Sequence, residues 1–417
     1  MKLVKSGGQQ YSELVLVAVL FFAWGAIFLA RMSGLYLSPF LAPEFHLTPP
    51  QCGLLGSALA ISWAFSGLFF GSLSDRIGRR MILIPCLLVS AALCAGCGLA
   101  RNFPQLLLLR ILLGLAEGPA WPILNAIVKD ASPEATRGRN VGIVVSAAAL
   151  VGLAAAPLLA TQVASHLGWR WGFFAASVPA FVAGLLVLIY GPEPERSGFA
   201  GTRSGREWNF LAILRRRNVW LSCVGTTGFM CWLFVTHSFA PLYITEVAHQ
   251  TSSTAGFLIA ATGVGSFLSG LIFPALSDKI GRKLGLRIMA SLSVVVPIAL
   301  VIPFLYSHLW LLGAILLVAN AGQGVSALIM VLIPSEAVRP EYAGTAIGLA
   351  VFIGEIVGAT LLPLLSGKLA QTYGLGITMW IAAAGMILVF LLTFVLGGVG
   401  PPVEARTQNL KEGLLDH

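Results

Sequence analysis

Long apolar stretches alternate with short polar segments along this chain. The stretches "LVLVAVLFFAWGAIFLA" (14–30) and "MWIAAAGMILVFLLTFVLGGVG" (379–400) contain no charged residue. A helix of about 20 residues is long enough to cross a hydrocarbon core of about 30 Å. Charges, prolines and glycines bound such stretches and predict twelve membrane-spanning helices. The predicted spans are 13–37, 52–72, 81–100, 104–127, 138–162, 172–191, 219–242, 253–276, 286–306, 309–333, 344–366 and 376–398.

A polar stretch divides the twelve spans into two sets of six. Residues 191–218 are rich in Gly, Pro, Ser and Arg, which is typical of a linker. The pattern therefore predicts an all-α membrane protein of two pseudo-symmetric six-helix bundles. We expect an N-terminal bundle (1–190), a cytoplasmic linker (191–218), a C-terminal bundle (219–400) and a cytoplasmic tail (401–417), which is too short for an appended signalling domain.

Composition and charge support this class and predict an orientation. The chain is 57% hydrophobic and 10% charged, whereas soluble domains carry about 25% charged residues. With the amino terminus placed inside, 21 of the 26 Lys and Arg residues fall in cytoplasmic segments and only Arg101, Arg170 and Lys368 fall outside. This positive-inside bias predicts that both termini are cytoplasmic, in a bacterial inner membrane. The bias also explains the net charge of +9 without nucleic acid as a partner.

Other chemistries have no support in the sequence. No His/Glu cluster has zinc spacing, and no glycine-rich loop precedes a Lys-Ser or Lys-Thr pair. A nucleophile with an oriented base is also missing at membrane depth. We therefore expect no cofactor, no metal and no enzymatic activity, and we expect a monomer surrounded by lipid.

One charged segment occurs twice. "GSLSDRIGRR" (71–80) follows span 2, and "PALSDKIGRK" (274–283) follows span 8, with six of ten positions identical. The first copy resembles the signature loop of the major facilitator superfamily, and the echo, the central linker and the twelve spans fit that family along nearly the whole chain. The resemblance implies a gate that holds neighbouring helices together and releases them as the two halves rock. The implied gating residues are Asp75, Arg76, Gly78, Arg79, Asp278, Gly281 and Arg282.

Ionisable side chains within the spans indicate a functional cavity. Arg31, Arg110, Glu117 and Glu355 lie at membrane depth, and His237 lies nearer a helix end. Each such charge costs at least about 2.5–3.5 kcal/mol in an apolar helix, so we expect these side chains to face a polar cavity between the halves.

Span 4 carries a more specific pattern. Arg110, Gly114, Glu117 and Trp121 are spaced by 4, 3 and 4 residues, which places them on one helix face. Together with Arg31, this pattern resembles the anion:cation symporter branch, which includes sialin and galactonate transporters. That resemblance implies a small organic anion as substrate, a monocarboxylate or sugar acid, with Arg31 as its anchor and Glu117 as a proton carrier. Sodium in place of the proton stays open.

The remaining candidates and alternatives come from polar residues near this face. Glu355 is either a second proton site, a counter-charge for an arginine, or a hydrogen-bond partner of Asn320 or Gln323 in span 10. We expect the substrate-binding set to be Arg31, Arg110, Trp121, Asn125, His237, Asn320 and Gln323. This chain has Ala30 and Ser33 where proton-coupled bacterial members of the branch carry an acid and an Asn. The missing acid makes Glu355 a stronger candidate for the proton site. The alternative function is a proton-driven exporter of drugs or metabolites.

Overall fold

The computed structural model describes residues 3–6, 9–133, 136–191, 216–339 and 342–397. Within them, twelve helices are long and apolar enough to cross a membrane. Their bounds are Glu13–Tyr36, Pro49–Phe70, Arg79–Cys97, Phe103–Ala131, Arg137–Leu167, Trp169–Tyr190, Arg217–Val247, Ser252–Ile280, Arg282–Leu300, Leu309–Glu336, Ala343–Tyr373 and Gly376–Val395. We call these spans 1 to 12. The twelve-span prediction is confirmed, and most of the linker and the tail lie outside the described residues.

Short elements complete the chain. Strands β1 (Leu3–Ser6) and β2 (Gln9–Ser12) form an antiparallel hairpin before span 1. A short helix, Ser38–Phe45, follows span 1, and the helix of span 2 continues to Ile77. Span 9 ends at Leu300, earlier than the predicted residue 306, because Ile302 and Pro303 leave the helix and a 3-10 turn forms at Pro303–Ser307. Proline cannot continue an α-helix through its own position.

Several spans are interrupted helices. Span 4 consists of Phe103–Glu117 and Ala120–Ala131, joined by a turn at Gly118 and Pro119. Span 10 consists of Leu309–Ala319, Gly322–Ser326, a π-helical segment Ala327–Leu332, and Ile333–Glu336. The α-helix of span 7, Arg217–Leu242, ends in a π-helical turn at Tyr243–Val247. Such interruptions place non-helical backbone groups inside the protein, where they are associated with function.

Spans 5 and 11 share one design. Span 5 contains Arg137–Ala147, a π-helical segment Ala148–Ala155, and Ala156–Leu167. Span 11 contains Ala343–Ile353, a π-helical segment Gly354–Leu361, and Leu362–Tyr373. Both end at a glycine with positive φ, Gly168 (φ 91°) and Gly374 (φ 80°), at positions 206 apart (374 − 168 = 206). This match of helix type and helix end supports the prediction of two related six-helix halves.

Small residues allow the spans to pack closely, which drives helix association in a membrane. A Cβ atom placed on Gly385 of span 12 would lie 2.6 Å from the Gly228 carbonyl oxygen of span 7. The two halves also approach each other at one end, which we call the outer end. It is remote from the glycine turns at Gly78 and Gly281, which join span 2 to span 3 and span 8 to span 9 and which we call the hinges. At the outer end, a Cβ on Gly53 would lie 2.6 Å from Pro363 O, and a Cβ on Gly367 would lie 2.6 Å from Pro49 O.

Hydrogen bonds join the halves from the middle of the bundle to the outer end. The Ser57 hydroxyl donates to Thr360 O at 2.6 Å, and Gln162 Nε2 donates to Ser253 Oγ at 2.7 Å. This conformation therefore has its halves in contact at the outer end.

Candidate functional site

Arg31 lies in the middle of the protein, where the two halves meet. It belongs to span 1, and its Nη2 donates to Glu355 Oε2 of span 11 at 2.7 Å. Both side chains are about 3% exposed. A buried carboxylate and guanidinium at this distance compensate each other's loss of hydration. This contact is the one expected if Glu355 is a counter-charge for an arginine, and its role as a proton site stays a prediction.

Aromatic rings surround the Arg31 guanidinium. Its Cζ lies 4.6 Å from the ring centroid of Trp63, 4.8 Å from that of Phe234 and 5.9 Å from that of Phe28. Phe234 belongs to span 7, so rings from both halves contribute. Rings at these distances favour a cation by their negative faces. The anionic partner of Arg31 therefore lies beside flat apolar walls.

The π-helical segment positions Glu355. It begins at Gly354, and the Thr360 hydroxyl donates to Glu355 O at 2.9 Å, which uses a carbonyl inside the segment. Gly354 and Gly358 bring the segment against span 7, where a Cβ on Gly358 would lie 2.6 Å from the Met230 Cβ. The segment thus brings the Glu355 side chain to Arg31 at the interface.

Arg110 lies inside the N-terminal half. Its Nη2 donates to Arg31 O at 2.7 Å, its Nη1 to Ala30 O at 3.4 Å and its Nε to Leu55 O at 3.5 Å. These bonds connect span 4 to the backbones of spans 1 and 2. Arg110 is 1% exposed, so it adds a buried positive charge beside the backbone of Arg31. A role for its guanidinium as a direct substrate ligand stays a prediction.

Glu117 ends the first helix of span 4, next to the turn at Gly118. It is fully buried, and both carboxylate oxygens lack a hydrogen-bond partner among the described residues. Arg110 and Arg31 are the cations that act on it electrostatically. A buried carboxyl without donors is costly as an anion, and this environment suits a group that changes its protonation state.

The other residues expected in the binding set lie on several spans. Trp121 packs on Trp24, with 4.8 Å between ring centroids, and its carbonyl accepts from Asn125 Nδ2 at 2.8 Å. Asn320 Oδ1 accepts from Gly322 N at 3.1 Å within the interruption of span 10. The side chain of Gln323 packs against Gly270 of span 8. Neither Asn320 nor Gln323 bonds Glu355 in the described structure.

His237 of span 7 lies on the same interface. Its Nδ1 is 3.1 Å from the Tyr36 hydroxyl of span 1, and the two rings meet edge to face at 5.8 Å. His237 and Tyr36 are both buried. Sequence reasoning missed Tyr36, whose only signal was a phenol at the end of an apolar helix.

The two hinges have ion pairs within their own halves. Arg79 pairs with Asp130 at the end of span 4. In the other half, Arg282 Nη1 lies 2.5 Å from Asp278 Oδ1, and Arg282 Nη2 lies 3.1 Å from Glu336 Oε1 at the end of span 10. Sequence reasoning did not single out Asp130 or Glu336.

Glycine turns separate the two helices at each hinge. Gly78 has φ 112° and Gly281 has φ 91°, values that favour glycine. The side chains of Asp75 and Arg76, two of the expected gating residues, lie outside the described part. Across the described residues, no group of three or more His, Cys, Asp or Glu could hold a metal ion.

The sequence profile of the Major Facilitator Superfamily matches residues 16–360. The chain belongs to this superfamily. Its relatives are membrane transporters rather than enzymes, and twelve spans together with bacterial relatives make this facilitator a multi-pass protein of the inner membrane.

Two curated relatives of this facilitator differ in what their names say they carry. It is 28% identical over 346 residues to the cis,cis-muconate transport protein of Acinetobacter baylyi, which covers 80% of this chain and 82% of the relative. It is 31% identical over 327 residues to the multidrug resistance protein MdtG of Dickeya zeae, which covers 73% of this chain and 76% of that protein.

The fold of this facilitator also matches a solved structure. A bacterial homologue of the human lysosomal transporter Spinster, in an inward-facing and occupied conformation, superposes with a TM-score of 0.72 at 18% identity. The match covers 91% of this chain and 95% of the other. The shared architecture is that of the superfamily.

Proposed function

We propose that this facilitator is a secondary active transporter that takes up a small organic anion together with a proton by alternating access. The observation that carries the proposal is the buried ion pair between Arg31 and Glu355, which joins a span of one half to a span of the other. A cationic side chain at this depth is costly and is kept where a pathway needs it. Arg31 is the anchor for the substrate carboxylate.

Competition for Arg31 supplies the coupling. Glu355 now fills the position on the guanidinium that a substrate carboxylate would take. When the substrate arrives, Glu355 loses its partner, and an unpaired carboxylate in an apolar interface takes up a proton from the aqueous phase. When the substrate leaves on the other side, Glu355 releases that proton and pairs with Arg31 again. The ion pair thus keeps the site neutral when no substrate is bound.

Glu117 is the second proton site in this proposal. It lies in the N-terminal half next to the fixed charge of Arg110, without donors among the described residues. Arg31 also acts on Glu117, so an exchange of the anion that neutralises Arg31 alters how well Glu117 holds a proton. Substitution of Glu117 and of Glu355, each in turn, tells which of the two carries the transported proton.

The walls around Arg31 favour a flat, unsaturated carboxylate over a sugar acid. Trp63, Phe234 and Phe28 give the site apolar faces, which stack well on a conjugated chain or ring. The relative from Acinetobacter baylyi is named for cis,cis-muconate, an anion of this kind. The remaining members of the expected binding set, among them Asn125 and Asn320, belong to this proposal as residues that orient the substrate.

Rocking of the halves requires hinges that can yield. We assign this role to the segments around Gly78 and Gly281, with Asp75 and Arg76 as further members. The linker 191–218 joins the two halves in sequence.

A ligand screen by thermal stabilisation tests the substrate class. Purified protein should be stabilised by unsaturated and aromatic carboxylates, less by sugar acids, and not by hydrophobic cations. The best ligand should then accumulate in proteoliposomes when a proton gradient, acidic outside, is imposed. Stabilisation by hydrophobic cations alone would contradict the proposal.

Export is the second candidate, and the likeness to a multidrug resistance protein favours it. An exporter would show proton-driven efflux of hydrophobic cations and no dependence on Arg31. The screen and the transport assay therefore separate the two functions.

A further inference from the structure

Tyr36 and His237 form a hydrogen-bonded pair between the halves, and the direction of that bond is fixed by a third group. The Tyr36 hydroxyl lies 3.3 Å from Gly152 O of span 5 and 3.1 Å from His237 Nδ1. A phenol has one proton to donate, so it can donate to only one of these two atoms.

The Gly152 carbonyl needs that proton. Gly152 lies in the π-helical segment Ala148–Ala155, in which the N–H of a residue bonds the carbonyl five positions earlier, as Ala156 N–H does with Val151 O. The next donor in this pattern would be Pro157, which has no N–H. Inside a membrane, a carbonyl without a donor costs several kcal/mol. Tyr36 therefore donates to Gly152 O.

The tautomer of His237 follows. Because the Tyr36 oxygen donates to Gly152, it accepts from His237, and His237 Nδ1 carries the hydrogen. A neutral imidazole with a hydrogen on Nδ1 has a bare lone pair on Nε2. An imidazolium at 2% exposure is disfavoured because no carboxylate in the described structure bonds it. Among the described residues, the hydrogen bond of the imidazole is the one that Nδ1 makes with Tyr36, which leaves Nε2 for a ligand.

His237 and Arg31 belong to the first span of their respective halves, spans 7 and 1. The two positions are 206 apart (237 − 31 = 206), as are Phe28 and Phe234 (234 − 28 = 206), and the same offset relates the ends of spans 5 and 11. Phe28 and Phe234 both contact the Arg31 guanidinium. His237 follows Phe234 by one turn of span 7, about 5 Å along the helix. The imidazole therefore lies one helical turn from a ring that contacts the Arg31 guanidinium.

We propose that His237 Nε2 accepts a hydrogen bond from a hydroxyl group on the substrate, and that Tyr36 is the positioning residue that holds the imidazole in this tautomer. The inference rests on the proposed anion site at Arg31 and deepens it. The substrate class becomes a carboxylate that carries a hydroxyl donor at its far end. A group in that place that can only accept, such as an ether oxygen, would face the Nε2 lone pair and be rejected.

Matched ligands test the direction of this bond on the full-length purified protein. The probes are 4-hydroxybenzoate, benzoate and 4-methoxybenzoate. At the ring position opposite the carboxylate, the first carries a hydrogen-bond donor, the second carries no polar group, and the third carries an oxygen that can only accept. Binding is measured by calorimetry or thermal stabilisation. We expect 4-hydroxybenzoate to bind about tenfold more tightly than benzoate, and 4-methoxybenzoate to bind more weakly than benzoate.

Variants then assign the preference to the pair. His237→Asn keeps an amide N–H toward Tyr36 but removes the acceptor at Nε2. The ratio of the affinities for 4-hydroxybenzoate and benzoate should therefore fall to about one, while benzoate binding is retained. Tyr36→Phe allows the imidazole to carry its hydrogen on Nε2, where it can donate to an ether oxygen. The affinity for 4-methoxybenzoate should therefore rise relative to the affinity for 4-hydroxybenzoate. His308→Phe, which removes a histidine outside the spans, is the control and should leave all three affinities unchanged.

The outcomes separate this inference from the anion site. An equal affinity of the wild type for 4-hydroxybenzoate and benzoate, or an unchanged preference in His237→Asn, overturns the role of His237. Wild-type affinities in Arg31→Ala overturn the anion site itself. Failure of all three acids to bind the wild type overturns both.

Discussion

Arg31 and Glu355 are 324 positions apart in sequence, yet their side chains form an ion pair of 2.7 Å between Nη2 and Oε2. Each belongs to a different half of the protein, and each is almost completely buried. The pair therefore joins the two halves, and it also neutralises the charges of both side chains. These two properties can be separated by substitution.

The first prediction concerns stability. Arg31→Met or Glu355→Leu alone leaves an uncompensated buried charge and should destabilise the protein by about 3–5 kcal/mol, whereas the double variant should regain most of this loss. Thermal unfolding of the purified proteins measures both effects. The control is Arg170→Met, which breaks the exposed pair with Glu44 (3.2 Å) and should cost less than about 1 kcal/mol. Single variants as stable as the control would show that breaking the buried pair does not lower the free energy of unfolding by the expected amount.

The second prediction concerns binding. Arg31→Ala should abolish binding of the anion, because the substrate carboxylate would lie unpaired in an apolar site. Arg31→Lys should restore binding poorly, since an ammonium cannot make the bidentate contact of a guanidinium. Equilibrium binding to the purified variants measures this. If Arg31→Ala keeps the wild-type affinity for a carboxylate, the anchor is elsewhere and export becomes the better proposal.

The third prediction concerns coupling. If Glu117 carries the proton, Glu117→Gln should spare binding and counterflow exchange but remove accumulation driven by a proton gradient, because Gln cannot be protonated. Its fold should survive, since the carboxylate oxygens of Glu117 have no hydrogen-bond partner to lose in the described structure. Glu44→Gln, at the surface, is the control. Undiminished accumulation in Glu117→Gln would assign the proton to Glu355, for which Glu355→Gln is the matching test.

The fourth prediction concerns the hinge between spans 8 and 9. At Gly281, φ is 91° and no atom lies within 4 Å of the position of an added Cβ, so Gly281→Ala tests backbone strain alone. It should cost about 1–3 kcal/mol and alter the transport rate. Gly348→Ala is the matched control, because that helical glycine is equally open and alanine favours the helix. Equal effects of the two substitutions would mean that the hinge conformation is not needed.

The fifth prediction concerns orientation. The six native cysteines are free and buried, so a cysteine placed at the surface is the reactive one. Ser204→Cys in the linker should react with an impermeant maleimide only after the cells are opened. His249→Cys, in the exposed loop between spans 7 and 8, should react in intact cells. The reverse pattern would invert the topology.

Much of the architecture could be predicted because membrane spans are encoded locally. Runs of apolar residues fixed the number and order of the spans, and the repeated hinge segment indicated two related halves. The hairpin Leu3–Ser12 lacked such a signal, because its alternation is short and polar. The π-helical segments of spans 5 and 11 were also missed, since the close approach of Gly152 to Phe28 and of Gly354 to Thr226 is set by the tertiary fold and has no local sequence signal.

The composition of the site could be predicted better than its pairing. The spacing placed Arg110 and Glu117 on one face of span 4, but spacing does not tell which neighbour that face meets. Arg110 bonds backbone carbonyls of spans 1 and 2, which a sequence pattern cannot reveal. The partner of Glu355 was open among several residues, because contacts between distant spans are set by the tertiary fold.

The outer end of the bundle has a consequence for the balance between conformations. Gly53 and Gly367 leave just enough room for the carbonyls of Pro363 and Pro49. The close contact of the halves at the outer end therefore depends on the lack of a side chain at these two positions. Any methyl group at either position raises the free energy of this closed arrangement and leaves an arrangement with separated outer ends untouched. Two missing Cβ atoms therefore favour the conformation in which the outer ends touch, and this preference does not involve the charged side chains of Arg31 and Glu355.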